Sequence, residues 1–243
     1  SSLKMNKDVF SIPMRWWPET MHPENYSVIW KKLPLVTFFK NTAKLTIITT
    51  IVQLCTSCFA AYGFTKCKFV GRDLIFLMYV TTIAVPWQVY MVPQFILVSK
   101  MGLNDTHIGL ILMQAFSAFG VFLIRQFYIS IPDELCEAAR IDGLSHAGVY
   151  YRIVAPISKP LFASIAILNF TGTWNSYMVP ATFINKVDKF TLVVGLQTVN
   201  MTYFQKTNLT LAGVVLLSFP VILFFICTQK EFVKGAMSSG IKA

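Results

Sequence analysis

The side chains able to do chemistry are few and scattered. His22, His107 and His146 stand far apart, and none has metal-ligand spacing with another His or a Cys. Cys55-x-x-Cys58 has the spacing of a redox or zinc pair, but it lies in an apolar stretch without a second pair or a nearby His. With Cys67, Cys136 and Cys227 the cysteines number five, which makes no disulfide framework, and the Cys55–Cys58 pair is expected as buried small apolar side chains. A phosphate-binding loop needs Gly, four residues, then Gly-Lys and Ser or Thr. Gly143 and Gly148 have that spacing, yet Val149-Tyr150 follow and the lysine is missing. The sequence predicts no catalytic residue, no metal site and no cofactor held by this chain.

Charge that can act on a partner is concentrated in one stretch, Ser130 to Pro156. Ser130 suits a helix N-cap, Pro132 a first turn, and Asp133 with Glu134 the positive end of a helix. Gly143 can adopt the left-handed conformation that stops a helix. Ser145 then caps a second short helix towards Ile153, which Pro156 closes. The expected unit is a helix–turn–helix. Leu135, Ala138, Ala139 and Asp142 share one side at i, i+3, i+4, i+7 spacing. Small side chains there let another surface approach closely, and Glu137 offers a carboxylate to an Arg or Lys.

The elements that hold this stretch are apolar. Of 243 residues 55% are apolar and 13% charged, against about 25% charged in soluble domains, and mean hydropathy is +0.58. The net charge of +10 includes no run of five basic residues, so nucleic acid is not an expected partner; Lys and Arg in short loops of a membrane protein account for it. Five stretches approach the ~20 apolar residues that cross a bilayer core: Leu45–Phe64, Leu74–Leu97, Ile108–Ile124, Leu161–Ile184 and Leu209–Gln229. None alternates with period two, so the fold class is all-α, a polytopic transmembrane helical bundle. Pro86 and Pro93 mark a bent or interrupted helix.

Orientation follows from the basic residues. With the 130–156 loop cytoplasmic, Lys66, Lys68, Arg72, Arg125, Arg140, Arg152, Lys159, Lys230, Lys234 and Lys242 lie inside, against Lys100, Lys186, Lys189 and Lys206 outside. The first forty residues carry six basic residues and lie outside against the rule. The sequence begins at Ser1, and a further span before it is expected, giving six. The organisation is then 1–40 extracytoplasmic, 41–229 the transmembrane domain, and 230–243 a cytoplasmic tail.

Glu137-Ala138-Ala139, three residues, Gly143, nine residues, then Ile153-Val154-Ala155-Pro156 resembles the EAA loop of ABC-importer permeases, with Ala155 where that pattern has Leu. Similarity to the MalG-like permeases of carbohydrate importers extends over nearly the whole chain. It is carried by Asn25-Tyr26, Asn41, Ala60-Ala61-Tyr62-Gly63-Phe64, Phe69-Val70-Gly71-Arg72, Pro86-x-Gln88, Gly172-Thr173-Trp174-Asn175 and Gln229-x-x-Phe232-Val233-x-Gly235. Ser176 stands where the family often has an acidic residue.

The resemblance implies one half of a pathway through a bacterial cytoplasmic membrane. Such a subunit pairs with a second, MalF-like permease, two cytoplasmic ATPases that hold ATP and Mg, and an outer sugar-binding protein. It implies that Glu137, Ala138, Ala139, Asp142, Gly143, Ile153 and Pro156 form the ATPase-coupling element, and that the tail from Lys234 to Ala243 reaches the ATPases. For a sugar or oligosaccharide, Trp87, Gln88, Tyr90, Trp174, Asn175 and Tyr177 are path candidates, because aromatic rings stack on sugars and amides bond hydroxyls. Helix packing and interfacial anchoring are the other roles open to them. The alternative function, an ion-coupled secondary transporter, needs ionisable residues near mid-membrane, and these stretches carry none.

Overall fold

A computed structural model of the protein describes residues 1–13, 16–202 and 206–240, the side chains at 199–202 and 227–240 excepted. All regular structure among the described residues is helical: α1 (Glu24–Lys32), α2 (Leu35–Lys66), α3 (Arg72–Thr81), α4 (Trp87–Lys100), α5 (His107–Met113), α6 (Ala118–Ile129), α7 (Asp133–Ile141), α8 (His146–Val149), α9 (Ala155–Ile157), α10 (Lys159–Trp174), α11 (Met178–Phe183), α12 (Leu192–Thr202) and α13 (Thr207–Gly240). Among the described residues two helices are long and apolar enough to cross a membrane alone, Leu35–Lys66 and Thr207–Ile226. Three further bent pairs reach that length together.

The central element is α2, at 32 residues about 48 Å long. It starts ten residues before the charge-free stretch, because Pro34 sets its first turn and Lys40 and Lys44 extend it beyond the apolar part. One half of α2 packs Cys58, Ala61 and Tyr62 against Val121, Ile124 and Tyr128 of α6 and against the 131–154 segment, in a single buried cluster. The other end holds Leu35 and Phe38 against Ile29 of α1 and Leu192 and Leu196 of α12. Between them Leu45 meets Val98, Leu110 and Phe183. Cys58 is buried, but Cys55 is exposed on the outer apolar side of α2, so the expected burial of this pair holds for one member only.

The interruptions have local causes. Val85, pushed out of the helical region by Pro86, is extended, and α4 leaves the preceding helix at 101°. Pro93 lies inside α4 without ending it. The third stretch is broken between Met113 and Ala118, bent by 46°, with the Ser117 hydroxyl accepting from the Gly120 N–H at 3.1 Å. It does not stop at Ile124 but runs to Ile129, because Arg125 lays its guanidinium 4.0 Å over the Phe76 ring and donates to Asp73 at 3.2 Å. The expected span Leu161–Ile184 is two helices, α10 ending at Trp174 and α11 starting at Met178. Two helices too short to cross a membrane, α1 and α12, were not legible as elements.

The α2–α6 seam depends on a missing side chain. A Cβ at Gly120 would sit 2.8 Å from the Ser57 hydroxyl, so these helices touch only because position 120 has none. Gly120→Leu is expected to destabilise the protein by about 1–3 kcal/mol through overpacking, measured as a lower thermal midpoint in detergent. Gly63→Ala, where nothing lies within 4 Å of the added methyl, serves as the control and leaves the midpoint unchanged or slightly raised.

Candidate functional site

The 130–156 loop begins where α6 ends. The Ser130 hydroxyl donates to the Phe127 carbonyl at 2.7 Å, closing α6, and α7 starts after an uncapped Pro132. Ser130 is therefore a terminator of α6 and not the N-cap of α7. Asp133 and Glu134 fill the first turn of α7 and Arg140 the last, each at the helix end that favours its charge. Gly143, at φ 87°, ends the helix. Leu144 N–H bonds Ala139 O and Gly143 N–H bonds Arg140 O, both at 3.0 Å, the paired closure of a left-handed C-terminal turn. Ser145 caps α8, its hydroxyl accepting from Gly148 N–H at 3.2 Å.

Pro156 does not close this second helix. A wide turn over Tyr150–Val154 makes room for the proline ring, and the chain stays helical through Ile157 before turning 78° into α10. Ile153 is half-buried against the cluster and Pro156 is exposed.

One face of the loop is locked to the membrane helices. Ile131, Cys136, Ala139, Val149, Tyr150 and Val154 all belong to the cluster built on α2 and α6. Burial pushes the Cys136 thiol up. The Tyr62 hydroxyl donates to the His146 carbonyl at 3.1 Å. Lys66, the last residue of α2, has a side chain only 4% exposed, and its ammonium donates to the Ile131 carbonyl at 2.7 Å and to Asp133 at 2.6 Å. That hydrogen bond, with the lysine charge behind it, holds the Asp133 carboxyl below the usual carboxylate range. Tyr62 and Lys66 were not foreseen as parts of this site; a lysine closing a long apolar helix was the available signal.

The opposite face is bare. Leu135, Ala138 and Asp142 are exposed, joined by Ile141 at 87% exposure, whereas Ala139, expected beside them, is buried at 5%. Ala139 and Cys136 are the residues of α7 that face the core. Glu137 is exposed and makes no ion pair or hydrogen bond among the described residues.

The expected path residues are dispersed. Trp87, Gln88 and Tyr90 form the first turn of α4; Gln88 and Tyr90 are exposed, and the Trp87 indole donates to Gln94 at 2.9 Å. Trp174 is 2% exposed, its indole donates to the Leu217 carbonyl at 3.2 Å, and its ring stacks on Phe170. Its neighbours in sequence differ: Asn175 is exposed and Tyr177 half-buried, both in the break between α10 and α11. The two groups approach through Met91 with Thr182 and Phe95 with Phe183. The tail residues Lys234 to Ala243 lie outside the described side chains.

Residues 53–229 match the family described as "Binding-protein-dependent transport system inner membrane component". The chain is 32% identical over 226 residues to the arabinooligosaccharides transport system permease protein AraQ of Bacillus subtilis, covering 93% of this chain and 80% of that protein. It is 30% identical over 207 residues to the lactose transport system permease protein LacG of Rhizobium radiobacter, covering 85% and 75%. Its fold is that of a chain in the crystal structure of a bacterial ABC transporter involved in the import of the acidic polysaccharide alginate, with a TM-score of 0.80 over 95% of this chain and 87% of that one, at 23% identity. A bundle of apolar helices with a rigidly carried, bare-faced loop thus joins a family match over most of its length: the chain belongs to the inner-membrane components of binding-protein-dependent transport systems, and is a multi-pass permease of the ABC-importer type.

Proposed function

We propose that this permease forms one half of a carbohydrate pathway and takes its drive from a separate ATPase that docks on α7. The observation that carries this reading is the two-faced loop: one face shares a core with α2 and α6, and the other presents Leu135, Ala138, Ile141, Asp142 and the unpaired Glu137. Force applied to α7 must therefore reach the membrane helices, since α7 cannot move without them. The turn at Gly143 and the second helix through Ile153 and Pro156 fix the angle at which α7 is held. In this reading the 130–156 loop is cytoplasmic, residues 1–40 lie outside, the helices from 41 to 229 cross the bilayer, and the tail from 230 to 243 is cytoplasmic.

ATP and Mg belong on two ATPase subunits, because no phosphate-binding loop exists in this sequence. A second, MalF-like permease supplies the other half of the path, and an outer binding protein delivers the sugar or oligosaccharide. The carbohydrate class is supported by relatives named for arabinooligosaccharides and lactose. Gln88, Tyr90 and Asn175 are the exposed groups suited to sugar hydroxyls and rings. Trp87, Trp174 and Tyr177 hold the helix ends that present them.

Purification of this chain from native membranes in mild detergent tests the assignment. An ATPase and a second permease should co-purify, and the reconstituted complex with its binding protein should import a labelled sugar only with ATP. Failure to recover any ATPase overturns the reading. In that system Asn175→Ala is expected to lower uptake about fivefold, the effect of losing one polar contact, with ATPase recruitment intact; unchanged uptake would return Asn175 to a capping role.

A further inference from the structure

Between the end of α2 and the flank of α7 lies a polar cavity of about 370 Å³ whose wall carries Lys66, Lys68, Arg72 and Arg140 against Asp133 and Glu137. Lys66 is occupied by Asp133 and the Ile131 carbonyl, and Arg72 by Asp73 and the Thr65 carbonyl. Lys68 and Arg140 make no hydrogen bond or ion pair among the described residues. The wall thus presents two uncommitted cations and one uncommitted carboxylate, Glu137.

The cations stand at the foot of an apolar strip. Lys68 lies in the 67–71 loop with Phe69 at 45% and Val70 at 99% exposure, and α3 continues with Leu74, Leu77 and Met78 at 62%, 59% and 55%. A second cavity shares Lys68 and Arg72 with the first and adds Phe69 and Leu74 to its wall. Exposed apolar residues leading away from paired basic side chains at a helix end match a phospholipid: a phosphate for the cations and a chain for the strip. Basic pockets between membrane helices on the cytoplasmic side recognise such headgroups.

We propose that this cavity seats the phosphate of an anionic phospholipid from the cytoplasmic leaflet, held by Lys68 and Arg140, with an acyl chain along Phe69, Leu74 and Leu77. The proposal rests on the cytoplasmic placement of the loop given above. A bound lipid bridges the α2–α3 loop to α7 and adds a membrane contact to the coupling helix. It leaves Leu135, Ala138 and Asp142 of the docking face free, with Glu137 at the edge that the two surfaces share. Residues 133, 136, 137 and 140 form one stripe of α7, and 135, 138 and 142 lie on the opposite side at 100° per residue. A free phosphate offers the same charge chemistry but leaves the apolar strip without a partner.

The importer assembled around this chain, in nanodiscs of phosphatidylcholine, is exposed to photoactivatable phosphatidylglycerol or photoactivatable phosphatidylcholine, and labelled peptides are mapped. Phosphatidylglycerol should label residues 66–78 about tenfold more than phosphatidylcholine, and Lys68→Ala with Arg140→Ala should remove that excess, while Lys100→Ala should not. Equal labelling by the two lipids, or an excess that survives the double substitution, overturns the proposal. Loss of the excess on adding inorganic phosphate assigns the cavity to free phosphate and overturns the lipid assignment. Labelling that arises only after the ATPases are stripped off gives the cavity to the ATPase, with the same consequence. Modification of Ile141→Cys by an impermeant maleimide in sealed right-side-out and inside-out vesicles stripped of the ATPases reports separately which side the loop faces, so an error in orientation is distinguished from an empty headgroup site.

Discussion

Glu137→Lys is expected to release the ATPases from the complex while this chain inserts and folds as before. The carboxylate is exposed and pairs with nothing among the described residues, so its replacement removes no internal contact. Within this chain the change is confined to the wall of the basic cavity, and the main loss falls on the partner. Breaking a charge-assisted contact at an interface costs about 2–5 kcal/mol, from about thirtyfold upward in affinity, and the reversed sign adds repulsion. Co-purification of ATPase with the tagged chain measures it, with uptake as the second readout. Gly143→Val should produce the same loss without changing any charge. At φ 87° a β-branched residue is strained by about 2 kcal/mol, although a Cβ there meets nothing within 4 Å. The penalty is purely conformational, so Gly143→Ala should give an intermediate loss. If Glu137→Lys and Gly143→Val both retain ATPase and transport normally, α7 is not the docking element.

The parts of this site legible in the sequence were those fixed by a few neighbouring residues. Gly143 and Ser145 act as read, because a left-handed turn and a hydroxyl cap each depend on the local backbone. Ser130 and Pro156 did not, because each had two local solutions and the fold chose the other. Ser130 closes the helix before it, and a wide turn absorbs Pro156. The division of α7 into a core face and a bare face hinged on Cys136, which composition alone did not assign to the interior. The same limit applies to the spans. Hydropathy found the apolar stretches, but it averages over the breaks at Gln114–Ser117 and Asn175–Tyr177, which are set by backbone geometry in uniformly apolar or mixed sequence. Trp174 shows the cost of reading a side chain by type: an aromatic beside an amide suggests a sugar contact, yet its ring is enclosed by Phe39 and Phe170 while Asn175 next to it is open.

Lys66→Met is expected to uncouple ATP hydrolysis from uptake without detaching the ATPases. Lys66 joins the end of α2 to the first turn of α7, and its buried ammonium is answered by the Ile131 carbonyl and Asp133. Methionine fills a similar volume but leaves that carbonyl without its donor, at a cost of about 1–3 kcal/mol, concentrated at the joint and not spread over the bundle. Asp133 is itself well exposed, so its freed carboxylate can be hydrated and the chain still folds. The docking face of α7 is untouched. What changes is the stiffness between that face and α2. Hydrogen exchange should quicken in residues 131–145, and the ATP hydrolysed per sugar imported should rise about tenfold, as expected for an input of about 1.4 kcal/mol no longer transmitted. The pH dependence separates this joint from a titrating switch. Because the Asp133 carboxyl is held below the usual carboxylate range, the pair contributes above the unfolded value near 4 and is lost only as pH falls through the lower folded one. Wild-type coupling should therefore be flat from about pH 6 to 8 and the variant equally poor across that window. Tight coupling in Lys66→Met, with unchanged exchange at 131–145, would mean that the apolar cluster alone carries the force and that the Lys66 joint is dispensable.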